Sequence, residues 1–169
     1  FDVCGIEPSL AFYNKASKVL SGVNGHFQNL NIEEAEFSSE TFDFITFGNV
    51  LEHLYDPSAD LEKAIKWLKP NGIIHIEVPN ANHLISKVIN FFYLFQGTNI
   101  VTNTSPMHIP FHLYEFTLNS FIENGKKLGY EVVKSNVEVC SIYNIPKILH
   151  PLLRWWMKRT STGLQLILF

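Results

Sequence analysis

The chain has 169 residues, 46% of them hydrophobic, 14% aromatic and 17% charged, with a formal net charge of −3. That is one domain's worth of chain with apolar surface enough for a core, which excludes disordered, collagenous and coiled-coil architectures. With no general basic excess, the composition argues against a nucleic-acid substrate. Cys4 and Cys140 lie far apart with no partner at metal spacing and read as small core hydrophobes. The longest apolar stretch, Val88 to Phe95, falls well short of the roughly 20 residues of a membrane helix. Phe1-Asp2-Val3 reads as a strand already under way, the pattern of a fragment.

In chain order, Val3 to Ile6 is a buried strand that turns at Glu7-Pro8-Ser9 into a helix over Ser9–Ser21, with Leu10, Tyr13, Ala16 and Leu20 at helical spacing. His26 to Leu30 is a short strand, and Glu33, Glu34, Glu36 and Glu40 mark a solvated connection. Phe42 to Phe47 has the β-rich apolar character of a central strand covered on both faces. Asp56-Pro57 starts a second helix carrying Leu61, Ile65 and Leu68, which ends at Lys69-Pro70-Asn71-Gly72 before a strand from Ile73 to Val78. A third helix spans about His83 to Phe95, and a polar loop from Gln96 to Pro106 is long enough to imply a task. Thr117 caps a fourth helix stopped by Gly129. Tyr130 to Val139 reads as a long strand, Ile145 to Arg159 as a helix and Gly163 to Phe169 as a last strand. Strands alternating with amphipathic helices imply an α/β fold with a mainly parallel sheet and a ligand site at the carboxyl ends of the strands.

At those ends stand residues that suit a nucleoside-bearing ligand. Glu7, where a strand passes into a helix, can accept hydrogen bonds from the vicinal hydroxyls of a ribose; the alternative is an acid placed on a helix dipole. Asn31 and the backbone of Ile32 can meet a purine edge, or simply form a polar turn. Gly48 permits close approach beyond a strand end and Asn49 points into the same crevice. Glu52-His53 sets a carboxylate and an imidazole beside it, and imidazole is the side chain best matched to proton removal near neutrality.

Taken together, Gly5-Ile6-Glu7-Pro8-Ser9, Phe42-Asp43, Val50-Leu51-Glu52-His53-Leu54, Asp56-Pro57, Leu68-Lys69-Pro70-Asn71-Gly72 and Ile76-Glu77-Val78-Pro79-Asn80 resemble the class I S-adenosylmethionine-dependent methyltransferases. The resemblance is closest to the ubiquinone-type and sugar methyltransferase branch. His108, His112-Leu113, Phe116-Thr117 and Gly129-Tyr130-Glu131-Val132-Val133 extend it over essentially the whole chain. It implies a Rossmann-like methyltransferase sandwich, 1–169 as one domain, with a mainly parallel sheet, an antiparallel final strand and a helical cover over 145–160. It implies S-adenosylmethionine as cofactor and S-adenosylhomocysteine as product. Glu7 would hold the ribose, Asn31 and Ile32 would face the adenine, and Gly48 and Asn49 would approach the methionine portion. His53 is the first candidate base and His108 the second, with His112 behind them; a histidine that only shapes the pocket is the alternative for each. Some quinone O-methyltransferases carry an acid three residues before the Glu-His pair that helps hold a metal; Asn49 stands there, so no metal is expected.

The resemblance also implies a sheet in the order 3-2-1-4-5-7-6, whose first strand and glycine-rich turn have no counterpart from Phe1 onward. The expectation is an N-terminally incomplete fold, in which the natural protein is longer, the flanking strands pair directly, or another chain fills the gap. The segment 145–160 would dock its aromatics on the sheet, or else present a basic amphipathic surface to a membrane or lipid-linked substrate. The resulting expectation is a cytoplasmic enzyme acting on a small-molecule or glycan acceptor, with peripheral membrane contact and a homodimer left open. The second reading is a degenerate fold used for binding or assembly; a nicotinamide-dependent dehydrogenase ranks third, disfavoured by the Leu51-Glu52-His53 and Lys69-Pro70-Asn71-Gly72 pieces.

Overall fold

A computed structural model describes residues 2–22, 24–106, 109–139 and 146–169. His108 and Cys140, singled out above, lie outside the described residues. The strands form two sheets. In the first, β1 (Val3–Ile6) and β2 (Gly25–Gln28) pair in parallel. In the second, the order is β3 (Phe42–Gly48), β4 (Leu68–Pro79), β6 (Gln165–Leu168), β5 (Ser135–Glu138). β3 and β4 are parallel, while β6 runs antiparallel to both β4 and β5. This is the 4-5-7-6 half of the implied methyltransferase sheet, reversed last strand included, and β1 with β2 reproduces the adjoining pair. Among the described residues the strands that flank the gap do not pair directly: β1 ladders with β2, and β3 with β4.

The helices form where local chemistry starts and stops them. Ser9 caps α1 (Leu10–Val19). Asp56 accepts the Ala59 amide at the start of α2 (Pro57–Trp67), and Pro57 fills the first turn, where an N–H has no helical partner. At its other end, the Lys66 and Trp67 carbonyls receive the amides of Glu40 and Thr41, so the lead-in to β3 caps α2. α3 (Leu84–Phe95) has no side-chain cap. Thr117 and Ser120 form a reciprocal capping box on α4 (Leu118–Leu128), and Gly129 ends it in the left-handed conformation. Inside α4, Gly125 is required: a Cβ there would lie 2.5 Å from the Tyr130 carbonyl oxygen. A 3-10 turn at Lys147–Leu149 leads into α5 (His150–Arg159).

One core joins the pieces. Leu61, Ala64 and Trp67 of α2, Phe47 of β3, Ile76 and Val78 of β4, Phe121 of α4 and Leu166 and Leu168 of β6 are buried together. Ile32 and Ala35, from the turn after β2, belong to the same cluster and tie the small sheet to it. Phe37 meets Phe42 and Trp67 edge-on, both at 5.0 Å between ring centroids. Asn80, 2% exposed, donates to the Ser161 and Gly163 carbonyls and accepts the Asn82 amide, locking the end of β4 to the turn between α5 and β6.

Several sequence expectations need correction. β3 is an edge strand of its sheet and is not covered on both faces: Asp43, Phe44 and Thr46 are exposed. The strand predicted over Tyr130–Val139 is confined to Ser135–Glu138, because only there does β6 offer a ladder. α1 buries none of its side chains fully, and its Leu10 is exposed. α5 does not dock its aromatics on the sheet; Met157 and Leu153 turn inward and Trp155 and Trp156 face out.

Asp60, at the start of α2, is buried with one carboxylate oxygen unpartnered. Burial, and then the neighbouring Glu33 and Asp56 charges, push its carboxyl up from 3.8 to about 6. The folded state therefore holds this proton more tightly than the unfolded chain, a contribution that is full below the unfolded value and lost as pH rises through the folded one. Asp60→Asn should leave stability unchanged below pH 4 and raise it by about 3 kcal/mol at pH 7. Urea titrations at the two pH values check this; equal unfolding midpoints at pH 7 would contradict it.

Candidate functional site

The carboxyl end of β1 runs straight into Glu7. The Glu7 amide continues the ladder to the Gln28 carbonyl at 3.0 Å, and its Oε1 accepts the Ser9 amide at 2.8 Å, so the helix start that follows orients the carboxylate. Asn29 clamps the same turn from β2's end, donating to the Glu7 carbonyl at 2.7 Å and the Pro8 carbonyl at 3.0 Å. The sequence reading passed over Asn29, since a short polar turn residue carries no periodic signal. Asn31 is exposed, whereas the Ile32 side chain is buried in the core and leaves only backbone to a ligand.

At the end of β3, Gly48 is exposed, and a Cβ added there would meet nothing within 4 Å, so the backbone faces open space. Asn49 follows at φ +53°, in the left-handed region that asparagine tolerates, and its amide donates to the Glu77 carbonyl. Its Oδ1 accepts from Gln165 Nε2 at 2.6 Å. Gln165, 116 residues away, is a second partner the sequence reading missed, because only the antiparallel return of β6 brings it there.

Beyond Asn49 a 3-10 turn, Leu51–His53, presents the Glu52-His53 pair. The segment 111–114 closes over it. The Leu113 amide donates to the Glu52 carbonyl at 2.7 Å and the Tyr114 amide to the same oxygen at 3.3 Å. Tyr114 Oη donates to the Tyr55 carbonyl at 2.9 Å. His53 Nδ1 lies 3.0 Å from the Phe111 carbonyl, which can only accept, so Nδ1 carries the proton and Nε2 the lone pair. That Nε2 is 3.9 Å from Glu52 Oε1.

Glu52 is 1% exposed and its Oε2 has no partner; burial pushes its carboxyl up, against its own backbone N–H bond and the His53 charge. His112 stacks edge-on at 5.0 Å from His53, with Nδ1 buried and unpartnered. Burial first, then His53, lowers its basicity, against the pull of Glu115. One donor atom from each of Glu52, His53 and His112 lies within 4.8 Å of the others. A carboxylate and two imidazoles also make a donor set that can hold a divalent ion, with the long separation closing by about 1 Å. His53 and His112, read from sequence as base candidates, are thus brought together; Tyr55, Phe111 and Tyr114 expose aromatic faces around them. A cleft of about 590 Å³ between Asn80, Asn136 and Arg154 holds none of the candidate residues.

The comparisons give the family and the fold. A family profile described as a methyltransferase domain matches residues 1–165, and the chain belongs to that family. It is a class I S-adenosylmethionine-dependent methyltransferase domain, its cofactor S-adenosylmethionine and its product S-adenosylhomocysteine. Solved structures share the fold. One is a putative S-adenosylmethionine-dependent methyltransferase from Listeria monocytogenes, at 13% identity over 99% of this chain and 78% of that one, with a TM-score of 0.66. Another is an S-adenosylmethionine-dependent methyltransferase from Mesorhizobium loti, at 11% identity over 98% and 77%, TM-score 0.64. A third is the putative methyltransferase in complex with the Trm112 methyltransferase activator of Haloferax volcanii, at 15% identity over 98% and 68%, TM-score 0.64. No curated protein matches the chain in sequence.

The residues present fit the cofactor. Glu7 offers an oriented carboxylate, Gly48 leaves open space where a side chain would stand, and Asn31, three residues past β2, is exposed. Since left-handed backbone strains a β-branched residue by roughly 1–2 kcal/mol relative to glycine or asparagine, Asn49→Val should lower stability by about that much against Asn49→Gly. Paired urea melts decide the point, and equal midpoints for the two variants would remove the backbone argument.

Proposed function

We propose that this domain methylates a small-molecule or glycan acceptor in the cytoplasm, with His53 as the base. The observation that carries the reading is the His53 ring, pinned through Nδ1 to the Phe111 carbonyl, which leaves Nε2, 3.9 Å from Glu52 Oε1, as the ring nitrogen that can take a proton. Bound S-adenosylmethionine supplies an electrophilic methyl group on a sulfonium. Glu7 would hold the ribose hydroxyls, Asn31 and the Ile32 backbone would meet the adenine, and Gly48 with Asn49 would pass close to the methionine portion. His53 Nε2 would take the proton that an acceptor hydroxyl or amine gives up on methylation. The nearby Glu52 carboxylate stabilises the resulting imidazolium, and His112, kept neutral by burial, adds no opposing charge. Alignment supplies most of the acceleration, so the hydrogen bonds that fix segment 111–114 on the Glu52 carbonyl matter as much as the base. Tyr55, Phe111 and Tyr114 offer flat apolar faces on which a sugar or aromatic ring can stack. His108, outside the described residues, stays the second candidate base from sequence.

Titration with S-adenosylhomocysteine by calorimetry tests the cofactor half. The chain should bind, and Glu7→Ala should bind at least about tenfold more weakly, as expected for lost charge-assisted hydrogen bonds. His53→Ala should keep the affinity within about twofold and lower kcat by about a hundred- to ten-thousand-fold on a hydroxyl acceptor. No binding by the parent chain would move it to the second reading, a binding or assembly module; full kcat in His53→Ala would remove the base.

A further inference from the structure

α3 and α5 break the rule that a surface helix turns its apolar stripe inward. Val88, Phe91, Phe92 and Phe95 share one face of α3 and are all exposed, Phe95 by 84%. On α5, Leu152, Trp155 and Trp156 share the outward face, with Ile148 at 87% exposure in the turn before it. The two helices are neighbours: Leu84 and Ile85 of α3 pack with Leu153 on the buried Met157 of α5, and the Leu84 amide bonds to the Thr162 carbonyl. Both helices therefore turn their exposed aromatics away from the same small apolar cluster.

The charges around these faces are one-sided. Residues 78–114 and 139–169 contain Lys87, Lys147, Arg154, Lys158 and Arg159 and not one aspartate or glutamate, while the whole chain carries −3. Arg154 is engaged with the Val139 carbonyl, and the other four stand exposed beside the aromatics. Two such faces would repel each other, so a second copy of the chain is the wrong partner. A negatively charged lipid surface is the right one: tryptophan settles at the boundary between headgroups and acyl chains, phenylalanine and leucine enter it, and lysine and arginine are attracted to anionic headgroups. No helix among the described residues is long and apolar enough to cross a membrane, which leaves contact from the side.

We propose that the exposed faces of α3 and α5 dock on an anionic lipid bilayer, and that the methyl acceptor is a lipid-linked molecule presented there. The loop that follows α3 ends at Phe111 and His112 beside His53, so the docking helix and the site share one stretch of chain. The acceptor class rests on the methyl-transfer reading above; the docking itself does not.

The test is partition of the chain between buffer and vesicles of phosphatidylcholine, with and without 30 mol% phosphatidylglycerol, followed by sedimentation and tryptophan emission. Binding should require phosphatidylglycerol, weaken as salt rises and shift the emission of Trp155 and Trp156 to the blue, while Trp67, 6% exposed in the core, stays as it is. Trp155→Ala with Trp156→Ala, and separately Lys147→Ser with Lys158→Ser and Arg159→Ser, should each weaken partition at least tenfold with unchanged far-ultraviolet dichroism. Partition too weak to detect, partition indifferent to phosphatidylglycerol, or a dimer in ultracentrifugation that the tryptophan variants dissociate would overturn the docking. S-adenosylhomocysteine affinity measured on the same variants separates the two readings: a chain that binds it but ignores vesicles loses only the membrane. Vesicle binding without cofactor affinity would overturn the lipid-linked acceptor.

Discussion

The structure depends on side-chain packing where backbone hydrogen bonding is missing. β1 and β3 each have one edge outside any ladder, so the two sheets are not joined by the cooperative rows of N–H and C=O that normally make a parallel sheet one unit. What holds them is the turn after β2: Ile32 and Ala35 are buried in the cluster that contains Leu61 and Ala64 of α2, and Lys63 reaches the Glu33 carbonyl and the Glu36 carboxylate. Those ion pairs are partly exposed and contribute little. The apolar contact is therefore the stronger link, and it positions the end of β2 relative to the rest. At this same open edge Phe44 of β3 is exposed and stacks on His75, and Gly48 faces open space.

The chemistry of the site follows from a second constraint, the clasp between two segments about 60 residues apart. The Glu52 carbonyl takes two amides and the Phe111 carbonyl takes one imidazole proton, so backbone atoms alone fix the ring orientation and the tautomer. A buried carboxylate beside it is costly, and its raised proton affinity is the sign of that cost. His53 partly offsets that cost for Glu52, its charge favouring the ionised carboxylate against the effect of burial. His112 enters as a third member with its basicity lowered, which keeps two adjacent cations from forming. The carboxylate of Asp60, by contrast, is raised by burial and by the Glu33 and Asp56 charges and plays no part in the crevice.

Much of this was legible in the sequence because it is written in local signals. Asp56-Pro57, Thr117 and Gly129 mark helix ends by capping chemistry that acts within four residues, and all three stand where they were read. Glu7 at a strand end and Glu52-His53 before a helix are likewise local patterns. What stayed hidden were partners set by topology. Gln165 meets Asn49 only because β6 returns antiparallel along β4, and Asn29 clamps Glu7 only through the β1–β2 register. Phe42 to Phe47 misled for the same reason: its composition suits a strand with neighbours on both sides, and composition cannot report that one neighbour is missing. The length of β5 was overread because valines continue upstream of Ser135 where β6 has ended.

The exposed aromatics call for a different explanation from these misreadings. At Phe44 the exposure follows from the open edge of a sheet, and the residue keeps a strand's alternation. On α3 no such account works, since the helix is apolar on nearly every side and its inward contacts at Leu84 and Ile85 are already satisfied. A helix of this composition in water alone would bury its second face in the nearest available surface, and the surface beside it is α5, which turns its own tryptophans outward. Two neighbouring helices that both forgo burial, on the part of the chain that lacks acids, depart together from the pattern the rest of the molecule obeys. Where local rules are broken in concert around a site whose other rules hold, the breakage marks function, and here it lies on the chain leading into the segment that fixes His53.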